Sequence, residues 1–393
     1  MCEHGPAERA GGRALRLWAW GVVPMVLLAV LVGVFLWAGV RGVFQPDVPP
    51  VEDLTIERVV LRPGVIMVHL VNGGPQPVTV SQVLVDEAYW QFTISPGPTV
   101  PRLGRATLTL AYPWVEGESH HLRVLSATGV AFEHTIDVAT ATPTADARYL
   151  ITFTMLGIYV GVIPVAVGLL WLPFLRELED RWLAFFLSLT AGLLLFLGVD
   201  AVREALDLAA AVPAAYQGTG LVVLGVVGAA LVLAAVGRRA GGEGASRRLA
   251  LATFVALGIG LHNLGEGLAI GAAYSAGKVA LGTFLILGFT IHNTTEGLAI
   301  VAPVSRDPLR LRTLVALGAL AGTPTIAGAW VGGLSFSPTL ATLFLAVGAG
   351  AIFQVVYEVA RLMVTERMSP AYQTAGVIAG LLLMYLTGLL VAA

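Results

Sequence analysis

The chain has 393 residues, of which 56% are hydrophobic and 12% charged. That is too apolar for a water-soluble protein of this length and makes the bilayer its solvent. Its 23 basic and 25 acidic residues nearly cancel, which argues against a nucleic-acid partner or an acidic tail, and the single cysteine, Cys2, excludes an internal disulfide framework and a cysteine-built metal site.

About 20 mostly apolar residues cross roughly 30 Å of hydrocarbon, and nine segments qualify. The first, Leu17 to Val40, follows Arg9, Arg13 and Arg16 as a signal peptide would. Its apolar run is longer than a signal core, no small-x-small cleavage site follows, and Trp18, Trp20 and Trp37 sit at belt positions. It is therefore read as an anchor helix. Cys2 beside it is read as a bystander rather than an acylation site.

Residues 45 to 147 change character. Period-two alternation in Ile66 to Val71, Val78 to Val85, Ala106 to Leu110 and Phe132 to Val138, broken by turn chemistry such as Asn72-Gly73-Gly74-Pro75, predicts an antiparallel β-sandwich. Pro49-Pro50 and Thr142-Pro143-Thr144 read as its linkers. His120 and His121 are adjacent strand residues that point to opposite faces and are expected to be solvated surface histidines.

The other eight segments run near Tyr149 to Phe174, Trp182 to Val199, Gly218 to Gly237, Leu249 to Ala273, Val279 to Val304, Thr313 to Leu334, Pro338 to Ala360 and Ala371 to Val391. The predicted domains are a leader and anchor over 1–44, the β-sandwich over 45–147 and an eight-helix membrane bundle over 148–393. With the N-terminus in the cytoplasm, Arg9, Arg13, Arg16, Arg176, Arg181, Arg238, Arg239, Arg247, Arg248, Arg306, Arg310, Arg312, Arg361 and Arg367 fall inside, while the short outer loops keep Arg203 and Lys278. The positive-inside rule thus predicts a multi-pass protein of the cytoplasmic membrane with the β domain and the C-terminus outside.

One short repeat carries chemistry. His262-Asn263-Leu264-Gly265-Glu266-Gly267-Leu268-Ala269-Ile270 recurs 30 residues later as His292-Asn293-Thr294-Thr295-Glu296-Gly297-Leu298-Ala299-Ile300, identical at seven of nine positions. On a helix the His and Glu share a face one turn apart, with Asn beside the His. His262 lies 14 residues past Arg248, and His292 lies 14 past Lys278 and 14 before Arg306, about 21 Å from the helix ends and so near mid-membrane. One carboxylate there costs about 2.5 to 3.5 kcal/mol on insertion scales, and a divalent cation is the natural counter-charge for two. The bland reading is a pair of hydrogen-bonded His-Glu locks, which duplication at matched depth disfavours. Gly265, Gly267 and Gly297 are expected to weaken the helices locally and let backbone carbonyls join the ion path.

The repeated His-Asn-x-x-Glu-Gly-x-Ala motif resembles the ZIP (Zrt/Irt-like) divalent metal transporters, in their prokaryotic branch, over roughly residues 149 to 393. The resemblance implies an eight-helix bundle with both ends outside. It also implies a primary metal site of His262, Glu266, His292 and Glu296, a second adjacent site with Asn263 and Asn293, and a bridging role for Glu296. Two departures stand out. Gly265 and Thr295 replace the proline common before each motif glutamate, leaving the usual kink in doubt. Pro324 is flanked by Thr323 and Thr325, with no carboxylate between Thr313 and Leu334, so the second site is expected to be weak or absent.

Imidazole, carboxylate and amide suit Zn2+, Fe2+, Mn2+ or Cd2+ and not copper(I). Zinc is the default. Transport towards the cytoplasm is expected, with a metal sensor that binds without transporting as the alternative. No phosphate-binding loop indicates ATP drive, and no His-Glu-x-x-His motif indicates a metallohydrolase, so no enzyme activity is expected. The partners are the divalent metal ion and the lipid bilayer, a homodimer being left open. Gln354 and Glu358 share a face that either lines an inner exit or pairs with Arg361 or Arg367. Asp200, Arg203 and Glu204, at the outer end of the Trp182 to Val199 span, either draw cations in or neutralise one another, and the second reading is preferred.

Overall fold

The computed structural model describes residues 22–34, 37, 51–144, 146–239, 244–275, 279–335, 337–365 and 369–392. Two units separate, Met1–Pro50 and Val51–Ala393. In the first, Val22–Val34 is an apolar helix whose side chains are exposed throughout, matching the inner part of the expected anchor. Cys2, Trp18, Trp20, the leader arginines and Pro49-Pro50 lie outside the described residues.

The second unit begins with nine strands: β1 Leu54–Arg62, β2 Val65–Asn72, β3 Val78–Val85, β4 Ala88–Tyr89, β5 Phe92–Ser95, β6 Thr99–Val100, β7 Arg105–Leu110, β8 His120–Ser126 and β9 Ala131–Ile136. They form two antiparallel sheets, β1-β2-β7-β5 and β4-β3-β8-β9, with β6 on β3. Ile66, Val68, Leu70, Leu108 and Leu110 of one sheet and Val83, Val85, Leu122 and Val124 of the other share one core. Alternation in sequence becomes inward and outward faces because successive strand residues point to opposite sides.

Turn chemistry fits the hairpins. Asp86 and Glu87 adopt positive φ (50° and 64°) in the two-residue loop between β3 and β4, a conformation such loops demand. This turn corrects the expectation for His120. His120 points inward and is 3% exposed, its Nδ1 lying 2.8 Å from Asp86 Oδ2, which also accepts from Tyr112 Oη at 2.9 Å. His121 points outward, beside Glu133.

Among the described residues, eight helical segments are long and apolar enough to cross a membrane: α1 Ala147–Arg176, α2 Asp180–Ala209, α3 Ala214–Gly237, α4 Ala245–Tyr274, α5 Leu285–Val304, α6 Leu311–Leu334, α7 Pro338–Val364 and α8 Pro370–Leu389. These match the eight segments read from the sequence. Asp146 caps α1 by accepting from Tyr149 N at 2.7 Å. The stretch before it is no free linker, since Thr142 pairs back onto β1, with Leu61 N donating to its hydroxyl at 2.9 Å and its own N–H reaching Leu61 O at 3.0 Å.

Small residues govern the packing of α4. Methyl groups at Gly267 or Gly271 would overlap Thr325 O or Ala329 O of α6, and methyl groups at Gly328 or Gly332 would overlap carbonyls of α4. The two backbones therefore touch, the membrane mode in which packing rather than hydrophobicity joins helices. Two helices are broken. α1 passes through a π turn at Ile158–Val162, and α6 is interrupted at Thr323 before Pro324, which has no N–H to continue the ladder. The helices that carry the motifs run unbroken over Ala245–Ser275 and Val279–Val301. The expected weakening at Gly265, Gly267 and Gly297 is not realised, because those glycines are occupied by close contacts: Leu345 at Gly265, α6 at Gly267 and α1 at Gly297.

The β domain sits on one end of the bundle. Glu57 Oε1 accepts from Ser337 Oγ at 3.2 Å, before α7, and Asp53 Oδ2 from Ala214 N at 3.3 Å, at the start of α3. At the other end Arg248 grips Asp307 through two bonds of 2.9 and 2.6 Å, and Arg306 ties to Arg176 O at 2.8 Å, Leu178 O and Asp180 Oδ1 at 3.1 Å.

Gly271→Leu forces α4 and α6 apart and is expected to cost about 1–3 kcal/mol, read as a lower thermal midpoint of the detergent-solubilised protein. Gly228→Leu, where nothing lies within 4 Å, leaves the midpoint unchanged. Burial alone would raise the Asp86 carboxyl, but hydrogen bonds from His121 N–H, His120 and Tyr112 outweigh it and hold the group below its ordinary value. Its stabilising contribution is thus present above about pH 4 and lost as pH falls further. Asp86→Asn is expected to flatten the acid side of the stability profile, followed by β-sheet circular dichroism.

Candidate metal centre

Both motifs come together where α4 meets α5. His262, Glu266 and His292 offer ligand atoms that all lie within 4.8 Å of one another. Glu266 is the hub. Its Oε1 is 3.2 Å from His262 Nε2 and in direct contact with His292 Nε2, and its Oε2 accepts from Asn293 Nδ2 at 3.0 Å. His262, at 5% exposure, and Glu266, at 3%, are buried, and the His292 side chain is 13% exposed.

The two repeats interlock reciprocally. Asn263 of α4 donates from Nδ2 to Glu296 Oε2 of α5 at 3.2 Å, while Asn293 of α5 donates to Glu266 of α4. Each amide has a second tie to a carbonyl of a broken helix. Asn293 Nδ2 reaches Val160 O in the π turn of α1 at 3.0 Å, and Asn263 Nδ2 reaches Ala321 O, two residues before the break in α6, at 3.1 Å. π turns recur at functional sites because they displace backbone groups from the helical ladder. Here those groups hold the N–H ends of both amides, so the amide oxygens face elsewhere.

What remains is a set of buried atoms with no hydrogen-bond partner: His262 Nδ1 and Nε2, Asn263 Oδ1, Asn293 Oδ1, Glu296 Oε1 and Thr325 Oγ1. His262 Nε2 is close to Glu266 yet lacks the alignment of a hydrogen bond. Buried polar groups without partners are costly and uncommon. The ligand atoms of His262, Glu266 and His292 stand close enough together to be answered by a single cation, and imidazole with carboxylate is a donor set that zinc and its neighbours accept.

The structure thus brings all six residues of the repeat, His262, Asn263, Glu266, His292, Asn293 and Glu296, into one buried cluster. Glu266, rather than Glu296, is the carboxylate that both imidazoles approach, and Glu296 joins through Asn263. The amides orient the carboxylates. On α6, Thr325 is fully buried and its hydroxyl has no hydrogen-bond partner.

Other candidates fall apart. Asp200 pairs with Arg203 at 3.6 Å on the exposed surface, as read, but Glu204 does not join them and lines a cavity with Gly265 and Leu268 of α4. Glu358 is held by Gln354 at 3.3 Å and lies 4.0 Å from Arg361, which favours pairing over an exit. Sequence reasoning named Glu204 but preferred to pair it with Arg203, and it missed the Val160 and Ala321 carbonyls. Glu204 adjoins the buried stripe Ala201, Ala205 and Ala209, a usable sign, whereas Pro324 frees the carbonyl of Leu320, four residues before it, and not that of Ala321. No protein-family model matches the chain, and no curated protein matches it.

Glu266→Gln is expected to abolish tight Zn2+ binding in calorimetric titration of the purified protein. Asn263→Leu and Asn293→Leu, which remove orienting hydrogen bonds, are expected to weaken it about 10–100-fold.

Proposed function

We propose that this chain carries divalent metal ions across the cytoplasmic membrane in the manner of the ZIP transporters, zinc being the default cargo, through the cluster around His262, Glu266 and His292. The observation that carries the reading is that His262, Glu266 and His292 bring ligand atoms within 4.8 Å of one another, with both nitrogens of the buried His262 left without a hydrogen bond. A cation of charge two answers them together and offsets both carboxylates, in a place where leaving them unanswered is expensive.

In this reading Glu266 and the two imidazoles take the ion, and Glu296, held by Asn263, completes the charge balance. The amide oxygens of Asn263 and Asn293 take part without adding charge, which lets the ion leave again. Lack of a carboxylate on α6 keeps the site to essentially one strongly held ion. Entry is from the β-domain side, and exit is at the end where Arg248–Asp307 and the Arg306 contacts tie the helix connections together. Release requires these ties to separate, so the arrangement is one closed towards that end. The arginines gathered there support assigning it to the cytoplasm, with the β domain and the C-terminus outside.

Zinc uptake into proteoliposomes tests the reading. Wild type is expected to fill the vesicles, with His262→Ala and Glu266→Gln falling to background, and Mn2+, Fe2+ and Cd2+ competing in proportion to affinity. Tight binding without flux would instead make the chain a metal sensor.

A further inference from the structure

A cavity of about 660 Å3 lies between the β domain and the bundle. Its roof comes from β1 and the segment after β9, including Glu57, Arg58, Asp137 and Thr142. The bundle contributes Leu208 of α2, Leu285 of α5 and Leu345 of α7, with Gly265, Leu268 and Ala269 of α4. Gly265 is the residue immediately before Glu266. The cavity therefore reaches from the β domain to the flank of the metal cluster.

One acidic side chain from the helices points into this apolar space. Glu204 of α2 is partly buried, lines the cavity, and has no hydrogen bond or ion pair with a described residue. Across the cavity the roof presents Arg58, half-buried and without an ion pair among the described residues. Low-dielectric walls concentrate the field of such charges and set the local concentration of an ion by one to three orders of magnitude.

We infer that a divalent cation reaches His262, Glu266 and His292 through this vestibule, roofed by the β domain, and that Glu204 draws it in while Arg58 opposes it. The assignment rests on the metal reading of the cluster and adds a route to it. It also gives the β domain a role, since its roof turns the mouth of the bundle into a narrow, charged antechamber instead of an open funnel. The opposed signs of Glu204 and Arg58 set how fast an ion arrives rather than how many are held, because neither is among the ligand atoms.

The test is the rate at which the purified full chain in detergent takes Zn2+ from a zinc-responsive dye after rapid mixing, a readout that needs no transport. Glu204→Gln is expected to slow association about tenfold without changing the number of ions bound, and Arg58→Gln to speed it several-fold. In a Cys2→Ser background, bulky thiol modification of Leu208→Cys is expected to block association. Wild-type rates in Glu204→Gln and in modified Leu208→Cys overturn the route, as does a slowing in Arg58→Gln equal to that in Glu204→Gln, which would mark general damage. His262→Ala separates the two levels. If it abolishes binding while Glu204→Gln changes nothing, the metal centre stands and the vestibule route falls. If it binds as wild type does, the metal reading falls and takes the route with it.

Discussion

Charge buried at the middle of a helical bundle must be answered, and Glu266 is where this protein answers it. Two imidazoles approach its oxygens and one amide N–H holds it from the neighbouring repeat. Around that carboxylate the bundle is arranged to leave acceptors over. Asn263 and Asn293 turn their N–H ends to carbonyls of the two broken helices, α6 and α1, and their oxygens are left without partners. A structural lock would pair every one of these atoms, since an unsatisfied buried group costs more than the bond it lacks. Leftover acceptors in a closed site are what the proposed cation would satisfy.

Precision of this kind depends on backbones that cannot slide. Glycines on α4 and α6 bring the two helices into carbonyl contact, and Gly168 and Gly297 do the same for α1 and α5. The regular helices carry the ligands and the irregular ones, α1 and α6, carry the carbonyls that orient them. Irregular backbone at the depth of the cluster is tolerated where it is buried in protein.

Much of this was legible in the residues themselves. Apolar runs gave the eight crossing segments, alternation gave four of the principal strands, and a nine-residue repeat gave every side chain of the cluster, because the periods of helix and strand are local properties. β1 escaped notice because Glu57 and Arg58 stand together where its pairing shifts register, and β8 was recognised as strand only at His120 and His121. His120 was misjudged because its burial is created by Asp86 and Tyr112, the former 34 residues before it on a different strand's turn. The reciprocal Asn-to-Glu bonds, the Val160 carbonyl and the cavity side of Glu204 depend on how α1, α2, α4, α5 and α6 are placed around one another, which no local pattern contains. Motif glycines invited a reading as helix weak points, yet glycine permits both flexibility and close approach, and only packing decides between them.

X-ray absorption at the zinc edge of the metal-loaded protein tests the central claim most directly, since it reads the ligands of the ion without reference to flux. The account predicts a shell of nitrogen and oxygen neighbours at about 2.0–2.2 Å, with the multiple-scattering signature of two imidazoles that drops to one in His292→Ala. A shell of oxygens alone, or one unchanged by loss of His262 and His292, would place the ion elsewhere and contradict it.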